Sequence, residues 1–128
     1  MARILLVDDE RDVVTLIKFM LEKDGHTIVT AYDGAEALAK AGVEPRDETA
    51  IIPDLVILDV MMPVMDGYTT CARLQEDART KGVPVMVLTA KGGDAKELPS
   101  VPGVTAHLEK PFDPRALREL VATLLEKH

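Results

Sequence analysis

Five polar side chains in this sequence stand at the end of an apolar run or shortly after one. They are Asp8, Asp9, Asp59, Thr89 and Lys110. The runs before most of them are short and rich in valine, isoleucine and leucine, as in strands that are buried on both faces. The carboxyl ends of parallel strands meet at one edge of a sheet, and ligands of open α/β sheets bind there. We therefore expect these five side chains to share one site.

The residue types in this set suit phosphoryl chemistry. Crowded carboxylates repel one another unless positive charge compensates them. A divalent ion is the natural compensation, since Mg²⁺ combines one or two carboxylates with waters and phosphate oxygens. Lys110 supplies a second positive charge, and Asp59 is then available as a nucleophile that forms an acyl phosphate. The hydroxyl of Thr89 could hydrogen-bond a phosphoryl oxygen.

Other acidic residues have simpler explanations. Asp54 comes before its strand, so at about 3.3 Å per residue it should lie about 16 Å from Asp59, on the opposite edge of the sheet. Asp33, Asp66 and Asp113 precede predicted helices. Aspartate is favoured at such positions because its carboxylate accepts hydrogen bonds from the first free N–H groups of a helix. We expect these three residues to be N-caps.

The elements that must position the site alternate along the whole chain. Helical spacing of apolar residues separates the predicted strands, and the last helix shows one apolar face. Parallel neighbours need such crossover connections, so the pattern predicts an α/β fold with one doubly wound sheet and helices on both faces. The predicted strands cover 4–7, 27–31, 55–58, 83–88 and 104–108.

The segment 91–103 breaks the alternation. Its glycines and prolines leave room for little more than one helical turn. Proline in a helix interior costs about 3 kcal/mol and glycine about 1 kcal/mol relative to alanine. We expect about five helices, of which the fourth is short, irregular or absent.

Length and composition favour one domain over residues 1–128. The formal charge is −7, from 22 acidic and 15 basic residues, which argues against direct nucleic-acid binding by this domain. No apolar run approaches the length of about 18 residues that a membrane span needs. A single cysteine, Cys71, fits a reducing compartment and a core position. We therefore expect a cytoplasmic location and no membrane contact.

Five motifs, in order, carry a resemblance to a known family. They are VDDE at 7–10, DG-x-EAL at 33–38, PDLVILDVMMPVMDG at 53–67, VLTA at 87–90 and EKPF at 109–112. Together they cover essentially the whole chain, and they resemble the receiver domain of two-component response regulators, of which the chemotaxis receiver is one. The resemblance implies a flavodoxin-like five-stranded parallel sheet in the order 2-1-3-4-5.

The resemblance also implies a role for each residue of the acidic site. Asp59 would be the phosphoacceptor, modified by a histidine kinase in an Mg²⁺-dependent reaction. Asp9 would bind Mg²⁺ directly, together with Asp59 and the backbone carbonyl of Met61. Asp8 would hold the ion through water.

The remaining implied residues belong to the conformational switch. Thr89 would move its hydroxyl toward the phosphate, and Lys110 would pair with Asp59 and then with the phosphate. The Lys110–Pro111 peptide would be cis, which proline permits. The second switch position, usually aromatic in the family, is His107 here.

The implied function is signalling, with a sensor histidine kinase as one partner and a downstream effector protein or domain as the other. Such a domain promotes its own phosphorylation and dephosphorylation but is not a turnover enzyme. Phosphorylation-dependent homodimerisation stays open, as does the choice between a stand-alone receiver and part of a longer regulator. One alternative is a phosphorylation-independent pseudo-receiver, favoured by His107 and the broken segment. Another alternative, a metal-dependent phosphohydrolase, would need a second acid or base two residues after the nucleophile, where this sequence has Met61.

Overall fold

The computed structural model describes residues 2–62, 65–89 and 104–127. Strands and helices alternate in it as the sequence predicts, and the described strands begin or end within two residues of the predicted bounds. The elements are β1 (Arg3–Val7), α1 (Arg11–Lys23), β2 (Thr27–Ala31), α2 (Gly34–Lys40), β3 (Leu55–Asp59), α3 (Gly67–Glu76), β4 (Val85–Thr89), β5 (Val104–Glu109) and α4 (Pro114–Lys127).

The five strands form one parallel sheet in the order β2-β1-β3-β4-β5. The predicted flavodoxin-like fold is therefore confirmed. Four helices lie in the described parts of the chain. The short or irregular helix expected at 91–103 falls outside the described residues. None of the described helices is long and apolar enough to cross a bilayer.

The core consists of two layers, one on each face of the sheet. Successive strand residues point to opposite faces, and β1 divides accordingly. Leu5 and Val7 pack in the layer formed with α2 and α3, which also buries Cys71. Ile4 and Leu6 pack in the layer formed with α1 and α4. Burial on both faces explains why the central strands are apolar throughout.

Aspartate caps fix where two helices begin. Asp33 accepts a hydrogen bond from the backbone N–H of Glu36 at 2.8 Å, at the start of α2. Asp66 accepts one from Thr69 N–H at 2.8 Å, at the start of α3. Each bond satisfies an N–H group that has no partner within its helix. The predicted caps are confirmed at both positions, and Asp113 accepts a similar bond before α4.

The segment between α2 and β3 is held by one arginine from the turn after α3. The guanidinium of Arg79 donates to the backbone carbonyl oxygens of Gly42, Asp47 and Ala50, at 3.4, 3.0 and 2.8 Å. The backbone of residues 42–53, a polar segment, is thus attached to the fold by a side chain that is distant in sequence.

β5 carries one extra residue where it pairs with β4. The register steps from Val104 to Ala106 on β5 while it advances by one residue on β4, and Thr105 is the extra residue. The backbone N–H of Val85 donates to Oγ1 of Thr105 at 3.2 Å. Beyond this bulge the ladder is regular as far as Thr89.

Candidate functional site

Three buried polar side chains lie at the carboxyl ends of neighbouring central strands. Asp8 directly follows β1, Asp59 ends β3 and Thr89 ends β4. Their exposed fractions are 0%, 4% and 1%. The apolar strands place these groups at the edge of the sheet, as predicted. Asp54 lies at the opposite edge, where its carboxylate accepts a hydrogen bond from Arg3 N–H at 2.9 Å.

The ammonium of Lys110 joins this edge from the residue after β5. Its Nζ lies 2.9 Å from Oδ2 of Asp8, 3.0 Å from Oε1 of Glu10 and 3.6 Å from Oδ2 of Asp59. The backbone N–H of Lys110 donates to the carbonyl of Thr89 at 2.7 Å, which ties the lysine to the end of β4. The Lys110–Pro111 peptide is cis.

The carboxylates that come together are those of Asp8, Glu10 and Asp59, each with an oxygen within 4.8 Å of the others. Asp9, expected to bind Mg²⁺ directly, has an exposed side chain and lies outside this group. Its role as a ligand stays a prediction. Glu10 was not predicted as a site residue, although it is the third acid of the run that follows β1.

Burial and charge oppose the ionisation of Asp59. Burial, and then the neighbouring carboxylate of Asp8, raise its pKa to about 7, against a lowering effect of Lys110. Burial also works against the charge of Lys110, but hydrogen bonds to Asp8 and Glu10 outweigh it and raise its pKa to about 12. One ammonium therefore compensates the acids only in part, and a further cation would favour the ionised form of Asp59.

The polar atoms of the site fit a divalent ion and a phosphoryl group. Carboxylate oxygens are the ligands that Mg²⁺ prefers. Oγ1 of Thr89 is buried without a hydrogen-bond partner in the described part of the chain. Leaving such a group unpaired costs about 1 to 3 kcal/mol, so a ligand oxygen that accepted its proton would be favoured.

Two further predicted residues lie near the site. Met61 donates its backbone N–H to Oδ1 of Asp59 at 3.3 Å, and its side chain is exposed. Its carbonyl as a metal ligand stays a prediction. His107 has an exposed side chain on β5, opposite Val87 in the ladder. Its part in a switch also stays a prediction.

Comparisons with known proteins agree with this geometry. The alkaline phosphatase synthesis transcriptional regulatory protein PhoP of Bacillus subtilis is 37% identical over 126 residues, which is 98% of this chain and 49% of that protein. The chain spans about half the length of the curated relatives it matches first.

Two solved structures are similar over nearly their full length. The chemotaxis response regulator CheY4 of Vibrio cholerae is 31% identical with a TM-score of 0.84, covering 97% of this chain and 98% of that one. The receiver domain of a sensor histidine kinase from Pseudomonas aeruginosa is 27% identical with a TM-score of 0.83, covering 98% of both chains. It was solved with a magnesium ion coordinated in its active site cleft.

The family profile described as "Response regulator receiver domain" matches residues 4–122. This range includes every strand end at which the acidic site is built, together with Lys110. The chain belongs to the response regulator receiver domain family.

Proposed function

We propose that this domain accepts a phosphoryl group on Asp59 from a sensor histidine kinase, in an Mg²⁺-dependent reaction, and that it signals through the resulting change of conformation. One observation carries the proposal. The buried carboxylate of Asp59 lies within reach of the Lys110 ammonium and beside Asp8, at the edge of the sheet where ligands bind.

The chemistry follows from the groups at this edge. An oxygen of Asp59 attacks the phosphorus of a phosphohistidine, an O–P bond forms, and the P–N bond to the kinase imidazole breaks. Lys110 offsets negative charge on the transferred group, and Thr89 offers its hydroxyl to one phosphoryl oxygen. Bound Mg²⁺ would supply further positive charge at the phosphoryl oxygens, with Asp8, Asp9 and Asp59 available to hold it.

The Mg²⁺ requirement has two supports. The carboxylates of Asp8, Glu10 and Asp59 exceed the single ammonium in charge. The Pseudomonas receiver domain, of similar fold, holds magnesium in its cleft. Phosphoryl transfer needs mainly positioning and charge neutralisation, so the domain promotes its own modification without being a turnover enzyme.

The partners follow from the family and from the length of the relatives. The chain spans about half of the relatives it matches first, so the output lies with a downstream effector protein or domain. A sensor histidine kinase is the phosphodonor, the location is cytoplasmic, and this domain makes no direct contact with nucleic acid. Phosphorylation-dependent homodimerisation is an additional route to the output.

The test is incubation with Mg²⁺ and a small phosphodonor, followed by intact-mass measurement. The wild-type protein should gain one phosphoryl group, and Asp59→Asn should gain none. Asp54→Asn is the matched control, since Asp54 lies at the opposite edge and should not affect the modification. An unmodified wild type would contradict the proposal and favour the pseudo-receiver alternative. Equal modification of Asp59→Asn would contradict the assignment of Asp59 as the acceptor.

A further inference from the structure

The position of the Lys110 ammonium shows which acids hold it before phosphorylation. Nζ lies 3.0 Å from Glu10 but 3.6 Å from Asp59, the residue it must serve in the proposed reaction. The Glu10 side chain is 60% exposed, whereas that of Asp8 is fully buried. Lys110 is therefore shared between an inner acid and an outer one.

Glu10 is more than a surface partner because its backbone belongs to the same arrangement. The N–H of Glu10 donates to Oδ1 of Asp8 at 2.9 Å, while the other oxygen of Asp8 accepts from Lys110. The Glu10 carboxylate then accepts from Lys110 at 3.0 Å. These three contacts close a ring, which fixes the Glu10 carboxylate over the outer side of the ammonium.

A divalent ion and an ammonium compete for the same inner carboxylates and repel each other at short range. Given the proposed function, we infer that Glu10 is a positioning residue that acts through Lys110. It gives the ammonium a partner at the rim and thereby holds it 3.6 Å from Oδ2 of Asp59, which leaves the Asp59 carboxylate more accessible to Mg²⁺.

The test measures Mg²⁺ affinity of the unphosphorylated protein by following amide chemical shifts in an NMR titration. In Glu10→Gln the outer partner of the ammonium loses its negative charge, so the ammonium should move closer to Asp59. We expect the Mg²⁺ dissociation constant to rise about threefold, the scale of one partly exposed ion pair. In a Lys110→Met background the same substitution should change affinity much less, because there is no ammonium left to reposition.

The double-mutant comparison separates positioning from other roles of Glu10. An effect that is as large or larger in the Lys110→Met background would make Glu10 a ligand or a source of general charge, and would overturn the inference. Equal affinities of Glu10→Gln and wild type would overturn it as well. Asp12→Asn, which removes an exposed acid in the first turn of α1, is the matched charge control and should alter affinity less than Glu10→Gln.

The inference and the proposed function can fail separately. The titration needs no phosphorylation, so it has a result whether or not the phosphodonor modifies the wild type. A wild type that binds Mg²⁺ but gains no phosphoryl group contradicts the proposed function. A modified wild type whose Mg²⁺ affinity does not depend on Glu10 contradicts only the positioning role.

Discussion

The carboxyl group of Asp59 is buried beside the carboxylate of Asp8, and both conditions oppose its ionisation. At the scale of single residues, the negative charges of the site are thus only partly neutralised by positive groups in the described part of the protein. Lys110 contacts three acids and favours their ionised forms, but it is one charge. The proposed reaction of Asp59 with a phosphodonor should therefore depend on added cations.

The raised pKa of Asp59 predicts a pH dependence of stability in the presence of a chelator. The folded value is about 7 and the ordinary value is 3.8, so between them the folded protein holds a proton that the unfolded chain has lost. The stabilising contribution of this proton is complete at pH values below the ordinary pKa of 3.8, and it is lost as the pH rises through about 7. The loss should be on the order of a few kcal/mol.

Urea unfolding at several pH values measures this dependence. Asp59→Asn has no proton to lose at this position, so its free energy of unfolding should decline much less over the same range. A variant curve that runs parallel to that of the wild type would show that another group is responsible.

The hydroxyl of Thr89, which has no hydrogen-bond partner among the described residues, gives a second prediction at this scale. Thr89→Val replaces the hydroxyl with a methyl group of similar size and should raise the stability of the unphosphorylated protein by about 1 kcal/mol. It should still be modified on Asp59, but its amide shifts should respond less to phosphorylation. Thr89→Ser keeps the hydroxyl and should retain the response. A loss of stability in Thr89→Val would mean that the hydroxyl has a favourable contact in the unmodified protein.

At the scale of elements, the start of α3 is packed against the end of β3. A Cβ on Gly67 would lie against the carbonyl oxygen of Asp59 and 2.8 Å from Cα of Val60. These are backbone atoms, so relief requires a shift of the chain segment that carries Asp59. The absence of a side chain at Gly67 is therefore a requirement of the site as well as of the fold.

Gly67→Ala should destabilise the protein by about 2 kcal/mol, since overpacking outweighs the better helix propensity of alanine. The rate of phosphorylation by a small donor should fall with it, because Asp59 is displaced. Gly82→Ala is the control, as a Cβ there meets nothing within 4 Å. If both variants unfold at the same urea concentration, the close approach at Gly67 is not restrictive.

The elements themselves could be predicted because their signals are local. Short runs rich in apolar or β-branched residues predicted the strands, and Asp33 and Asp66 predicted the starts of two helices. The attachment of residues 42–53 by Arg79 could not be predicted in this way, because it depends on contacts between residues that are distant in sequence. A polar loop and an attached polar loop have the same composition.

The site was predictable as far as strand ends determine it. Asp8, Asp59, Thr89 and Lys110 meet at one edge because the strands before them are parallel neighbours. Glu10 was not predicted, because the alternation of side chains along a strand does not determine side-chain directions in the turn that follows it. That turn directs the Glu10 side chain toward the site and leaves the side chain of Asp9 exposed.

At the scale of the whole molecule, the central strands of the sheet are more deeply buried than β5 at its edge. β1, β3 and β4 are buried along nearly their whole length, whereas β5 alternates between partly buried and exposed residues. Motion in response to a phosphoryl group costs less where fewer contacts must break. We therefore expect the conformational response to be largest on the side of β5.

The bulge in β5 places one extra residue before Lys110 without changing the alignment of the following residues with the end of β4. Val104 packs on one face of the sheet and Ala106 on the other, the faces that neighbouring residues of a regular strand would occupy. Thr105 is thus a spare residue between two segments that are each already aligned with β4. Losing it would restore an unbroken ladder and still deliver Lys110 to the end of β4. We therefore expect that deletion of Thr105 would leave the ammonium of Lys110 beside Asp59.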